Sequence, residues 1–176
     1  MGQYFKPSNT TKKVNLVAHD FDNGLKIMEH SYIGNNFVET IMTLLANEWN
    51  GDNFVWAGDY SSEFNYAYSF EREKTNDYNN EFQILFSKDK IFIVNYDRRE
   101  FVDFRKYISK APKCEYGYQI HPLPMLTCSE QGLGGGDYHG EEDEFLGLWA
   151  NDSIGVLTEE MEGDWVDITE RLKFKE

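Results

Sequence analysis

Three adjacent glycines, Gly134, Gly135 and Gly136, are the feature that most narrows what this chain can fold into. A run without side chains adds nothing to a core. It supplies backbone that takes positive φ or lies close against another group. The run sits in residues 131–154, QGLGGGDYHGEEDEFLGLWANDSI, with Gly132, the densest acid cluster (Glu141, Glu142, Asp143 and Glu144) and an apolar segment around Trp149. The stretch reads as a constrained loop that leads back into buried structure.

The rest of the chain must supply that structure. Phe37, Val38, Ile41, Met42, Leu44, Leu45 and Trp49 recur at helical spacing. Asn35 or Asn36 can cap this helix, Glu39 complements its N-terminal dipole, and Asn50-Gly51 stops it. Elsewhere the apolar runs are short. Strands are predicted at 12–18, where lysines suit an edge, and at 25–30 after the Asn23-Gly24 turn signal. Further strands are predicted at 53–60, 81–86, 91–96 and, in preference to a short helix, 100–108. Residues 61–73 tolerate a short helix. Pro122 and Pro124 predict extended backbone. Residues 145–149 and 153–158 read as a hairpin, and 165–168 as a last short strand. The sum is an α+β fold: a largely antiparallel sheet with one main amphipathic helix packed on one face, in a single domain over residues 1–176.

One near-repeat stands out. Trp56-Ala-Gly-Asp59 and Trp149-Ala-Asn-Asp152 share Trp-Ala-x-Asp at the ends of apolar runs. The flanks do not align further, so the pair reads as a shared device. The Trp anchors a strand end, and the Asp accepts backbone N–H bonds in the following turn.

Charge limits the partners. The chain has 17 Lys and Arg against 31 Asp and Glu, a net charge of −14. Such a surface repels nucleic acid and anionic membranes and suits a basic protein partner. Arg98, Arg99, Arg105 and Lys106 form the one basic cluster. A carboxylate-rich surface can also imitate a phosphate array and occupy a nucleic-acid-binding protein. The N-terminus lacks an apolar signal core, and no apolar run approaches the length of a membrane span, which predicts a cytoplasmic protein. Two cysteines without a CxxC pair give no zinc ribbon or disulfide scaffold.

Recognised catalytic arrangements lack their parts. The glycine run is followed by Asp137-Tyr138, not by the Lys and Ser/Thr of a P-loop, and it lacks the sixth-place glycine of a dinucleotide fingerprint. No Ser or Cys lies in a nucleophile elbow. Cys128 near His121 reads as a buried inert thiol, and His30 as a local hydrogen-bond partner. A Gly-rich loop can still nest an anion, and carboxylates with one histidine suit an oxygen-preferring divalent metal. The alternative site is therefore a nucleotide or divalent-metal site in the loop 132–140, with Gly134, Gly135, Gly136, Asp137 and His139 joined by Asp59 and Asp152.

Several segments carry a family resemblance. They are the opening Met-Gly-Gln-Tyr-Phe-Lys-Pro, residues 23–34 (NGLKIMEHSYIG), Trp56-Ala-Gly-Asp59, Gly134-Gly-Gly-Asp-Tyr138 and Trp149-Ala-Asn-Asp152. Together they resemble a family of small uncharacterised proteins carried by bacteria and by phages or other mobile elements. The resemblance spans most of the chain and is weakest over residues 61–110. Where the family pattern has Arg after the last Asp, this chain has Ser153. The resemblance implies an origin and carries no activity or catalytic residues.

The reading that follows is a non-catalytic acidic binding or inhibitor protein of phage or mobile-element type. It blocks or modulates a host protein with a basic surface and needs no cofactor. The expected contact residues are Tyr138, Glu141, Glu142, Asp143 and Glu144.

Overall fold

The computed structural model describes residues 2–74, 78–138 and 144–172. The strands are β1 (Phe5–Asn9), β2 (Val14–Asn15), β3 (Asn53–Gly58), β4 (Glu71–Arg72), β5 (Phe92–Asn95), β6 (Glu100–Asp103), β7 (Asp152–Leu157) and β8 (Val166–Asp167). The helices are α1 (Asn36–Ala46), α2 (Asn65–Tyr68), α3 (Asn79–Phe86), α4 (Phe104–Lys110) and α5 (Pro122–Thr127). The class is α+β, with one mixed, mostly antiparallel sheet in the order β4-β2-β1-β3-β7-β5-β6-β8. Only the outer pairs, β2–β4 and β6–β8, run parallel. Asn35 caps α1, its Oδ1 accepting from the N–H groups of Phe37 and Val38. The apolar stripe read from the sequence is buried, with Phe37, Val38, Ile41, Leu44 and Leu45 in one core with Trp49, Trp56 and Trp149.

The strand order is a palindrome, and the hydrogen bonds show why. Asn9 faces Phe54 across β1–β3, as Asn95 faces Ile154 across β5–β7. In the first hairpin, Asn9 Oδ1 accepts from Lys12 N; in the second, Asn95 Oδ1 accepts from Arg98 N. The next residues, Lys13 and Arg99, are both left-handed. Asn9 Nδ2 donates to Asp52 at 2.8 Å, and the Lys12 ammonium pairs with the same carboxylate. Asn95 Nδ2 donates to Asp152 at 2.8 Å, joined by Arg98 Nε at 3.2 Å.

The bonds between the two central strands are reciprocal. Gly51 N donates to Ile154 O and Asn151 N to Phe54 O. Asn53 Nδ2 reaches Asn151 O, and Ser153 Oγ reaches Gly51 O. Gly51 and Asn151 both have positive φ. Two copies of one unit (hairpin, connection, helix, central strand, edge strand) therefore meet about a pseudo-two-fold axis between β3 and β7. The repeat is Trp49-x-x-Asp52 with Trp149-x-x-Asp152, not the pairing of Trp56 with Trp149 taken from the sequence.

Several local expectations are corrected. β2 lies between β1 and β4 and is not an edge. Residues 25–30 contain a 3-10 turn over Ile27–Glu29 in place of a strand. Residues 81–86 belong to α3, and 100–108 divide between β6 and α4. The segment around Pro122 and Pro124 is helical. Both prolines lie in the first turn, where N–H groups have no intrahelical acceptor to lose. Residues 145–149 form turns that enter β7, not a hairpin arm.

Candidate functional site

The glycine loop is where the two units differ most. In the first, Trp49 N donates to Leu44 O a few residues after the body of α1; in the second, Trp149 N donates to Leu126 O only after the long excursion through the glycines. Its described part, up to Tyr138, packs against the first unit. Cys128 bridges Trp56, Ser129 N donates to Trp56 O, and Gly58 N donates to Ser129 Oγ.

The glycines then pack on their own chain. A Cβ on Gly134 would stand 2.5 Å from the backbone N of Gln3, and one on Gly2 2.4 Å from Gly135 O. Gly136 has φ +87°, and its Cβ would meet the Lys26 stem at 2.7 Å. Met28 N donates to Gly136 O. The close approach that demanded glycine is an approach to residues 2–3 and 26–28. Asp137 is buried and organises the turn: Oδ2 accepts from Leu133 N, Gly134 N and Gln3 Nε2.

The structure separates the remaining residues of the alternative site. Asp59 Oδ1 accepts from Tyr4 N, and Asp59 N donates to Tyr4 O, so this Asp ties down the N-terminal strand and not its own turn. Asp152 pairs with Phe54 at the opposite end of β3, about 17 Å along the strand by residue count. Asp152 is engaged with Asn95 and Arg98. The two aspartates therefore do not converge on one ligand. His139 lies outside the described residues.

The expected partner contacts divide similarly. Tyr138 is only 1% exposed, and burial pushes its phenol well above the ordinary value. A core side chain cannot serve as a surface contact, which corrects that assignment. Glu144 is exposed, 3.7 Å from Arg171. Glu141, Glu142 and Asp143 lie outside the described residues.

The buried histidines are committed to the fold. His30 Nε2 accepts from Trp56 Nε1 at 3.0 Å, which leaves Nδ1–H to donate to Gly24 O at 2.9 Å. Burial, partly offset by the Gly24 carbonyl, lowers its pKa to about 4. His121 caps α5, with Nδ1 accepting from Leu123 N and Nε2 facing Met42 Sδ; burial lowers its pKa to about 3. Cys128 is buried, and its thiol donates to Met125 O. Among the described residues, no three His, Cys, Asp or Glu side chains cluster to hold a metal ion. No described helix is long and apolar enough to cross a membrane.

The basic cluster read from the sequence is dispersed. Arg98 pairs with Asp152, and Arg99 lies over Trp165. Arg105 lies over Phe86, and Lys106 pairs with Asp167 and Glu170.

Sequence reasoning missed an exposed aromatic corner. Tyr4, Tyr60 and Tyr66 are 42%, 40% and 50% exposed. Burial, with Asp59 and Tyr4 nearby, raises the Tyr68 phenol above its ordinary value, and its ring carries Lys6 Nζ at 4.1 Å. No spacing rule marks a tyrosine as exposed, so only the packing of α2 on β1 and β3 brings these residues to light. Comparison with protein-family models, curated proteins and solved structures gave no match.

Proposed function

We propose that this chain is a non-catalytic binding protein of phage or mobile-element type. It engages a basic surface on a host protein and blocks or modulates that protein. The observation that carries the reading is the charge: −14 overall, with many cations already paired inside the chain. Exposed carboxylates such as Glu63, Glu71, Glu159 and Glu162 attract a cationic partner while repelling nucleic acid. The resemblance to phage- and mobile-element-borne proteins supports the biological setting.

The test is capture of partners from host lysate across a salt series. Binding through carboxylates weakens as salt rises. The change of Glu141, Glu142, Asp143 and Glu144 to Ser reduces capture at low salt if that acid run is the contact. Capture indifferent to both salt and these changes removes the acidic-contact reading.

A further inference from the structure

The pseudo-symmetry supplies an internal control for the exposed tyrosines. Extending the β1–β3 register by one pair places Tyr4 opposite Asp59, with Tyr60 next in the chain. Extending β5–β7 by two pairs, past Ile91 opposite Thr158, places Lys90 opposite Glu159, with Glu160 next. In the second unit this corner is an ordinary charged surface, where Lys90 pairs with Glu160 at 3.1 Å. The scaffold therefore does not require aromatic residues there. The first unit nonetheless presents Tyr4 and Tyr60, backed by Tyr68 and by α2, a helix absent from the same place in the second unit.

We propose that the corner of Tyr4, Asp59, Tyr60 and Tyr68 is a docking surface for a basic polypeptide segment rich in arginine. This rests on the binding function proposed above and names its contact face. Tyrosine rings offer flat apolar area with a negative face, on which guanidinium groups stack. Asp59 and Glu130 supply carboxylates at this corner. Ser62 links Glu130 to this corner through its N–H and hydroxyl. The chain itself already places one cation on a ring of this corner, the Lys6 ammonium over Tyr68, which leaves Tyr4 and Tyr60 as the exposed rings. Charge complementarity selects the occupant: with −14 on the chain, an arginine-bearing segment is attracted and an acidic one repelled.

The test uses octa-arginine and octa-lysine peptides as probes, with the full chain and the double variant Tyr4→Lys/Tyr60→Glu. That variant copies the second unit's ion pair and leaves net charge unchanged, so general electrostatic attraction stays constant. Thermal unfolding confirms that it folds. The native chain prefers octa-arginine over octa-lysine by about tenfold at low ionic strength, and the variant retains a preference of about twofold. An undiminished arginine preference in the variant overturns the docking corner and leaves the acidic binding function standing. If neither peptide binds the native chain at low salt, the corner and the acidic binding function both fail.

Discussion

The two units of the molecule solve the same folding problem with different surfaces. Each has a hairpin closed by an asparagine and a left-handed basic residue, with a tryptophan, a left-handed residue and an aspartate leading into the central strand. Each aspartate receives a buried asparagine amide and a cation. What differs is what each unit carries outside that frame. The first carries α2 and the tyrosine corner; the second carries the glycine excursion and the acid run. Features kept in both units belong to the fold, and features present in one are candidates for function.

The largest expected effect concerns the two histidines. Both bind a proton more weakly folded than unfolded, so their stability contribution is complete above the unfolded value of about 6.5 and falls as pH drops toward 4 and below. Together they give a positive slope of roughly 2–3 kcal/mol per pH unit between pH 5 and 6. At the position of His121 the first unit has Asn35, which caps α1. His121→Asn keeps a capping acceptor and halves the slope. Denaturant unfolding at several pH values measures it, and a slope unchanged by the substitution breaks the assignment.

A smaller effect separates neighbouring glycines of the excursion. Gly134→Ala drives a Cβ into the Gln3 backbone and costs about 1–3 kcal/mol, whereas Gly135→Ala, with nothing within 4 Å, costs under about 0.5 kcal/mol. Equal melting temperatures for the two variants would contradict the packing of this loop on the N-terminal segment.

The smallest difference lies between the paired tryptophans. Trp149 Nε1 donates to Glu100 at 2.8 Å, but the buried Trp49 Nε1 has no acceptor. The place of Glu100 in the first unit is held by Val14. Replacement by Phe therefore costs about 1–2 kcal/mol more at position 149 than at 49, because only there is a charged hydrogen bond lost. Unfolding free energies of the two variants check the sign.

Much of the frame was legible in the sequence. The stripe from Phe37 to Leu45 and the Asn cap mark α1, and apolar runs mark β3 and β5. Three things hid the rest. EFQILF in α3 fits strand and helix periods over so short a span. The prolines of α5 fall in its first turn, where they do not break a helix. The repeat rests on a handful of residues whose spacing the glycine excursion interrupts, so Trp149 matched Trp56 by composition and Trp49 only by geometry. For the site, the sequence marked the glycine loop as constrained. It did not show that the constraint is contact with residues 2–3 and Lys26, because that proximity is long-range. Nor did it show that Tyr138 faces inward while Tyr4 and Tyr60 face outward.

The claim beneath all of this is that Asp52 and Asp152 do the same job in two copies of one unit. Asp52→Ala and Asp152→Ala each strand a buried asparagine amide, Asn9 in one case and Asn95 in the other. Equilibrium unfolding of the two variants is the most direct measurement. The account predicts similar losses of about 1–3 kcal/mol from each. A loss from one aspartate with none from the other would contradict it.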